Sequence, residues 1–185
     1  LDVNTVKIIE VDDQKITHWS DLKTLEPRQI GEIVVKGPVV TRSYFNRDQA
    51  TQLAKIHDGK VIWHRMGDLG YFDEQGRLWF CGRKAHRVDT ATQRLYSVRC
   101  EAIFNAHSAV ARSALVGVTE GAAKTPIMII ERLPSERSKI SDTDLRSQLQ
   151  ELAKTSELTK DIHEFLFHPS FPVDIRHNAK IFREK

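Results

Sequence analysis

Cysteine and long apolar runs are scarce in this 185-residue sequence. The two cysteines, Cys81 and Cys100, are too few for a disulfide framework or for a zinc site built from cysteines. No apolar run approaches the roughly 18 residues of a membrane-spanning helix, so we predict no transmembrane segment. The 8 histidines show no metal-ligand spacing, and we predict no metal site. Two thiols without a recognisable targeting segment favour a reducing, cytoplasmic location.

The net charge of +3 is small and unevenly divided along the chain. Residues 1–80 hold 11 basic and 12 acidic residues, whereas residues 81–185 hold 17 and 13. A basic C-terminal part is compatible with nucleic-acid binding, but no basic block and no aromatic residues between basic ones support it. A basic face turned towards a nucleotide triphosphate explains the same bias. We therefore expect no nucleic acid as a partner.

The first part of the sequence reads mostly as strands. Short runs rich in valine and isoleucine predict strands at residues 5–10 and 32–36, and residues 39–45 continue the strand pattern. A helix is predicted over residues 47–56, with Asn46 as its N-cap. Gly67-Asp-Leu-Gly70 predicts a tight turn, and residues 73–76 predict a hairpin turn in which Gly76 supplies a positive φ.

After Gly82 the pattern changes to mixed helix and strand. Ser97 predicts the N-cap of a helix over residues 98–107, and two apolar runs, 110–118 and 127–131, predict central strands. Ser141 followed by Asp144 resembles a capping box, and it opens a helix with leucines on one face at positions 145, 149 and 152. Residues 161–166 predict a short helix or strand, and the basic tail is expected to be mobile unless docked.

These patterns predict the α+β class, with a β-rich part at residues 1–82 and a small α+β domain at residues 83–185. The boundary falls at residues 82–86. The chain begins Leu-Asp-Val-Asn, without Met and already within a strand-like pattern. We therefore expect it to be part of a longer protein.

Asp68 and Arg83 are candidate ligand-binding residues. A carboxylate has two acceptor oxygens, so it can accept hydrogen bonds from both vicinal hydroxyls of a ribose. A planar guanidinium suits bidentate recognition of phosphate oxygens. Taken singly, each residue is better explained without a ligand. Asp68 then accepts from turn amides, Arg83 is a surface residue at a strand end, and Lys180 is one basic residue among several near the terminus.

The context of these residues resembles a known family. Gly-Asp-Leu-Gly (67–70) is followed across a glycine-centred hairpin by Gly-Arg-Lys (82–84), and the tail reads Phe-Pro-Val-Asp-Ile-Arg-His-Asn-Ala-Lys-Ile-Phe-Arg (171–183). These motifs resemble those of the adenylate-forming enzymes, namely acyl-CoA synthetases, luciferases and peptide-synthetase adenylation domains. The resemblance implies that residues 1–82 end a large N-terminal domain and that residues 83–185 form a C-terminal lid.

The resemblance also implies roles for single residues. Asp68 binds the ribose, Arg83 contacts ribose and phosphates, and Arg94 is a second nucleotide-contacting arginine. Lys180 supports adenylation, because an ammonium offsets the repulsion between a carboxylate and the α-phosphate. ATP is the implied cofactor, with Mg²⁺ bound mainly by the N-terminal part, which carries the phosphate loop.

Several positions depart from the family pattern. Ala85 stands at the hinge, where Asp or Lys is usual, His86 follows where Asp is common, and Ala179 replaces a glycine before Lys180. Thr90-Ala91-Thr92 stands where thioester-forming members have a glycine loop along the path of the pantetheine thiol. The added Cβ atoms narrow that path. We therefore expect adenylation to be retained and a coenzyme A step to be lost.

Longer motifs narrow the resemblance further. Gly-Pro-x-x-x-x-Ser-Tyr-Phe-Asn-Arg (37–47), Gly-Arg-Leu-Trp-Phe-Cys-Gly-Arg-Lys (76–84) and the tail are similar to the β-lactone-forming branch of bacterial long-chain olefin biosynthesis. This similarity implies activation of a long-chain β-hydroxy fatty acid, closure to a β-lactone, and neighbouring olefin-pathway enzymes as partners. An acyl-CoA synthetase and a non-catalytic docking module are the alternatives. We expect the 185 residues alone to be inactive.

Overall fold

The computed structural model describes residues 4–120, 123–174 and 177–183, and it divides the chain into two compact units. The first unit ends at Ala85 and the second begins at His86, within the predicted boundary segment 82–86. For residue 179, predicted to replace a family glycine, only the backbone is described. No helix in the described ranges combines the length and the apolar composition that crossing a bilayer requires.

The first unit is built on one antiparallel five-stranded sheet and one helix. The sheet has the order β1-β2-β4-β3, with β5 paired to the other end of β4 beyond β3. Its elements are β1 (Val6–Ile9), β2 (Gly31–Val35), α1 (Asp48–Ala54), β3 (Lys55–Asp58), β4 (Val61–Phe72) and β5 (Leu78–Arg83). Alternate residues of a strand point to opposite faces, so neighbouring apolar residues enter two separate cores. One core contains Ile9, Val34, Ile56 and Trp63, and the other contains Val6, Ile8 and Ile33.

Two expectations for residues 39–56 of the first unit are wrong. Residues 39–45 do not form a strand: a turn in which Val40 N donates to Gly37 O replaces it, and Val39 is 91% exposed. The predicted helix begins one residue later, with Arg47 as N-cap, because Asn46 has a φ of +51°. It also ends early, since Ile56 pairs with Trp63 and enters the core. Burial overrides helix propensity at that point.

The second unit packs two helices on a three-stranded sheet of order β10-β9-β8, in which β10 runs parallel to β9. Its elements are β6 (Val88–Asp89), β7 (Arg94–Leu95), α2 (Ser97–Asn105), β8 (Val110–Glu120), β9 (Ala123–Arg132), α3 (Asp142–Lys154), β10 (Glu164–His168), β11 (Val173–Asp174) and β12 (His177–Ile181). Phe104, Leu115, Met128, Leu149 and Phe165 are buried in its core. The α+β class is confirmed.

Two N-caps were predicted in this unit, and one is correct and the other wrong. Ser141 caps α3, since its Oγ accepts from Asp144 N at 3.1 Å. Leu145 and Leu149 on this helix are fully buried, as the apolar spacing predicts. Ser97 is instead the first residue of α2, is buried, and makes no cap, because Tyr96 occupies the N-cap position.

The described residues of the C-terminal tail are paired with the second unit. Val173 pairs with Ile181 in the β11–β12 ribbon, and Phe182 N donates to Pro172 O at 2.9 Å. Arg183 then reaches into the second unit, donating to Leu115 O at 3.0 Å. The tail was expected to be mobile unless it docks, and residues 177–183 are docked in this way.

Candidate functional site

Asp68 and Arg83 lie side by side on neighbouring strands. They are register partners in the antiparallel pair β4–β5, and Arg83 Nη1 lies 3.0 Å from Asp68 Oδ1. The Asp68 side chain is 20% exposed and the Arg83 side chain 55%, so the pair opens to solvent on the arginine side. Arg83 Nη1 also donates to Met66 O at 3.4 Å. The structure thus brings together two of the predicted nucleotide-binding residues.

The carboxylate of Asp68 is incompletely satisfied. Its Oδ1 is shielded from solvent and accepts no hydrogen bond from the described residues, since the nearby Arg83 N–H group is not aligned with it. Burial raises the pKa of Asp68, Arg83 opposes this rise, and Glu32 adds to it. A buried acceptor without a donor costs free energy. A ribose hydroxyl would supply the missing donor, so the residues present fit a nucleoside.

The glycines around Asp68 lie in a strand, and the predicted tight turn at residues 67–70 is wrong. Residues 67–70 lie inside the continuous strand β4, with a bulge between Leu69 and Gly70. Gly67 has a φ of +67°, which side chains rarely adopt. A Cβ on Gly70 would lie 2.5 Å from Trp79 O, so this glycine allows β5 to approach β4. The bulge re-aims the strand at Asp68.

A buried ion cluster in the same unit was not predicted from the sequence. Glu32, which is 1% exposed, accepts from Arg65 Nη2 at 2.7 Å and from Lys84 Nζ at 3.1 Å. Lys84 Nζ also donates to Asp12 O at 2.9 Å. The residue after Arg83 is therefore fastened to the first unit. The one available signal was a glutamate inside the apolar strand Gly-Glu-Ile-Val-Val.

Arg94 and Lys180 belong to the second unit. Arg94 pairs with Asp89 across the β6–β7 ribbon, and Asp89 also accepts from Arg87 Nε at 3.0 Å. A nucleotide phosphate would compete with Asp89 for this guanidinium. Lys180 lies in β12 with its side chain exposed. Ala85 is exposed in a 3₁₀ turn over Lys84–His86, at the end of the first unit. The roles of all three residues stay predictions.

Residues 90–92, predicted to stand in place of a glycine loop, form a turn closed on itself. Thr90 Oγ1 donates to Gln93 O at 2.8 Å and accepts from Gln93 N at 3.0 Å. The backbone bond from Thr90 N to Gln93 O, at 2.9 Å, closes the same turn. The hydroxyl of Thr90 therefore fixes a loop that glycines would leave pliable.

The burial of the two cysteines bears on thiol chemistry. Cys81 and Cys100 are both buried, and burial raises the pKa of the Cys100 thiol to about 12. A thiol with such a pKa is a poor nucleophile at neutral pH. Within residues 4–120, 123–174 and 177–183, no group of three or more His, Cys, Asp or Glu residues is arranged to hold a metal ion.

Comparison with known sequences finds close similarity over nearly the whole chain. No protein-family model matches it. The olefin beta-lactone synthetase of Stenotrophomonas maltophilia K279a is 49% identical over 98% of this chain and 33% of its own length. The enzyme of the same name from Xanthomonas campestris pv. campestris is 47% identical over 98% of this chain and 34% of its own length. The chain thus spans about a third of these relatives.

More distant similarity is to coenzyme A ligases. The 2-succinylbenzoate--CoA ligase of Bacillus mycoides is 42% identical over 51% of this chain and 19% of its own length. Among solved structures, o-succinylbenzoate CoA synthetase from Bacillus subtilis with ATP and magnesium superposes with a TM-score of 0.73. It is 26% identical and covers 98% of this chain, which covers 34% of that structure. The same enzyme has also been solved with an acyl-adenylate intermediate.

Proposed function

Since this chain belongs to the superfamily of adenylate-forming enzymes, we propose that it is the C-terminal part of an ATP-dependent, AMP-forming ligase that converts a long-chain β-hydroxy fatty acid to a β-lactone. The paired Asp68 and Arg83, with one carboxylate oxygen lacking a donor, carry the nucleotide part of this proposal. The similarity to olefin β-lactone synthetases supports the substrate and product.

In the first step a carboxylate oxygen of the fatty acid attacks the α-phosphorus of ATP. A new phosphorus–oxygen bond forms, the bond to the bridging oxygen of the β-phosphate breaks, and pyrophosphate leaves. Two anions approach each other, so a nearby ammonium lowers the barrier. We assign this role to Lys180, which is exposed on β12.

The chain's own residues hold the nucleoside. Asp68 accepts from the ribose hydroxyls, and Arg83, beside it, contacts ribose and phosphate oxygens. Arg94 is a further phosphate contact once it releases Asp89. Mg²⁺ would neutralise phosphate charge, and we assign its binding to the preceding domain of the full-length protein.

In the second step the β-hydroxyl oxygen attacks the activated carbonyl carbon. The hydroxyl proton is lost, the four-membered ring closes, and AMP leaves with the oxygen that bridged carbon and phosphorus. No thiol takes part. The Thr90 turn, which is closed by hydrogen bonds to Gln93, supports the absence of a pantetheine path. We therefore expect rotation of the second unit about Ala85 to matter less than in thioester-forming relatives.

An acyl-CoA synthetase is the second candidate, favoured by the similarity to 2-succinylbenzoate--CoA ligase over half of the chain.

For the lactone-forming protein, we place the full-length chain in the cytoplasm and expect neighbouring olefin-pathway enzymes to use its product. A docking module without catalysis is the third reading. Loss of partner binding without loss of turnover in a surface variant would favour it.

Product analysis separates these candidates. The full-length protein receives ATP and a β-hydroxy fatty acid, with and without coenzyme A, and the product is identified by mass. We expect a β-lactone, that is, the acid minus one water, in both reactions. A thioester would overturn the lactone assignment. The matched control is a fatty acid without the β-hydroxyl, which should give an acyl-adenylate and no lactone. The 185-residue chain alone should catalyse no pyrophosphate exchange.

A further inference from the structure

The residue three positions after Lys180 is anchored inside the second unit. Arg183 Nη1 lies 2.7 Å from Glu101 Oε1, and Arg183 Nη2 donates to Glu101 Oε2 at 3.1 Å. This is a two-point contact between a guanidinium and a carboxylate, the geometry that fixes an arginine most firmly. The side chains are 13% and 10% exposed, so water competes little for either partner.

The Arg183–Glu101 pair joins helix α2 to strand β8. Glu101 lies on α2, and its Oε1 also accepts from Leu115 N on β8 at 2.8 Å. Arg183 Nη1 donates to Leu115 O at 3.0 Å. Burial raises the pKa of Glu101, and the hydrogen bond and charge of Arg183 oppose that rise. A buried carboxylate of this kind depends on a cation such as Arg183 for compensation.

The two residues between Arg183 and Lys180 are held in place by backbone pairing. Phe182 N donates to Pro172 O, and Ile181 pairs with Val173. Lys180 itself is exposed. The long side chain of a lysine has high rotamer entropy, so only the placement of its backbone can limit the volume that its ammonium samples.

We propose that Arg183, held by Glu101, is a positioning residue that sets where the Lys180 ammonium lies during adenylation. This inference rests on the proposed role of Lys180. We expect Arg183 to touch no substrate and to act only through β12, the strand that carries Lys180. A lysine at position 183 keeps the charge but loses the two-point contact, so β12 should shift while the unit stays folded. Misplacement of a catalytic group by about 1 Å is enough to slow a reaction greatly.

A double-mutant cycle tests the proposal in the full-length protein. AMP formation is measured for Arg183→Lys and Lys180→Ala, singly and together, as kcat and as KM for ATP. We expect Arg183→Lys to lower kcat by on the order of tenfold, with KM changed by less than about twofold. In the Lys180→Ala background the same substitution should have no further effect. Glu101→Gln, which removes the charge of the anchor, should reproduce the kcat loss.

Arg132→Lys is the matched control. Arg132, 11% exposed, pairs with Asp142 and donates to Ile140 O, so it is a similarly buried arginine away from β12. It should lower Tm about as much as Arg183→Lys and leave kcat unchanged. Equal kcat losses by Arg183→Lys in both backgrounds, or no loss in either, would overturn the positioning role. A wild-type rate for Lys180→Ala alone would instead refute the proposed function.

Discussion

Asp68 and Arg83 are direct partners across β4 and β5, with 3.0 Å between Arg83 Nη1 and Asp68 Oδ1. The pairing arises from the hairpin between them, whose turn at Gly76 has a φ of +73°. Because register in such a hairpin is set by the turn, the spacing of the two residues along the chain determines their contact in space. The Asp68–Arg83 pair is therefore a property of one local unit.

Asp68→Asn in the full-length protein should raise KM for ATP by about tenfold or more. The amide keeps one acceptor but loses the charge, and hydrogen bonds to charged groups contribute about 1.5–3 kcal/mol. Steady-state pyrophosphate exchange at varied ATP measures this. Asp48→Asn, an exposed aspartate on α1, is the control and should retain the wild-type KM. An unchanged KM for Asp68→Asn would remove the ribose assignment.

Glu32→Gln should destabilise the first unit by about 3–5 kcal/mol, because it leaves Arg65 buried without its counter-charge. The Glu32 and Arg65 side chains are 1% and 3% exposed. All three tryptophans, Trp19, Trp63 and Trp79, lie in this unit, so urea unfolding followed by their fluorescence reports on it. Glu74→Gln breaks an exposed pair with Arg28 and should leave the unfolding midpoint unchanged.

Acid should destabilise the same unit through Asp73. Burial alone would raise the pKa of Asp73, but hydrogen bonds from Trp79 Nε1, Arg77 N and Arg77 Nε outweigh it and hold the pKa far below its usual range. Stability from this group is complete above the unfolded pKa of about 3.9 and is lost as pH falls below it.

The substitution Asp73→Asn should therefore lower stability at pH 7 and flatten the loss of stability between about pH 4 and pH 2. Urea unfolding midpoints of the variant and the wild type, measured across that pH range, test this prediction. An unaltered slope in the variant would show that Asp73 is not the group responsible.

Leu149→Ala should lower the free energy of unfolding of the second unit by about 2–5 kcal/mol. Leu149 is completely buried between α3 and the sheet. Leu166→Ala is the matched control, since Leu166 is 50% exposed and surface changes usually stay within about 0.5 kcal/mol. Circular dichroism at the helical band follows this unit, which contains no tryptophan. Similar losses for both variants would contradict the core assignment.

Local predictions were only partly correct, since the caps at Asn46 and Ser97 and the turn at residues 67–70 are not observed. The Ser141 cap and the Gly76 turn depend on neighbouring residues, and both are present. Residues 39–45 carried a strand-like apolar pattern, yet Val39 and Phe45 are 91% and 90% exposed. Composition alone cannot say whether an apolar run finds a partner strand.

The ion clusters were beyond sequence reasoning for a different reason. Glu32 meets Lys84 from 52 residues away, and Glu101 meets Arg183 from 82 residues away. Such pairs follow from the packing of whole elements and leave no periodic signal along the chain. Asp68 and Arg83 are connected by a single hairpin whose turn the sequence predicts, although their direct contact was not predicted.

The most direct test of acyl-adenylate chemistry is the fate of the carboxylate oxygen. The full-length protein is supplied with ATP and a β-hydroxy fatty acid labelled with ¹⁸O in both carboxylate positions, and AMP is analysed by mass spectrometry. We expect one ¹⁸O atom in each AMP and one in the β-lactone, since the attacking oxygen stays on phosphorus when the ring closes. Unlabelled AMP, or ADP and phosphate in place of AMP and pyrophosphate, would contradict this expectation.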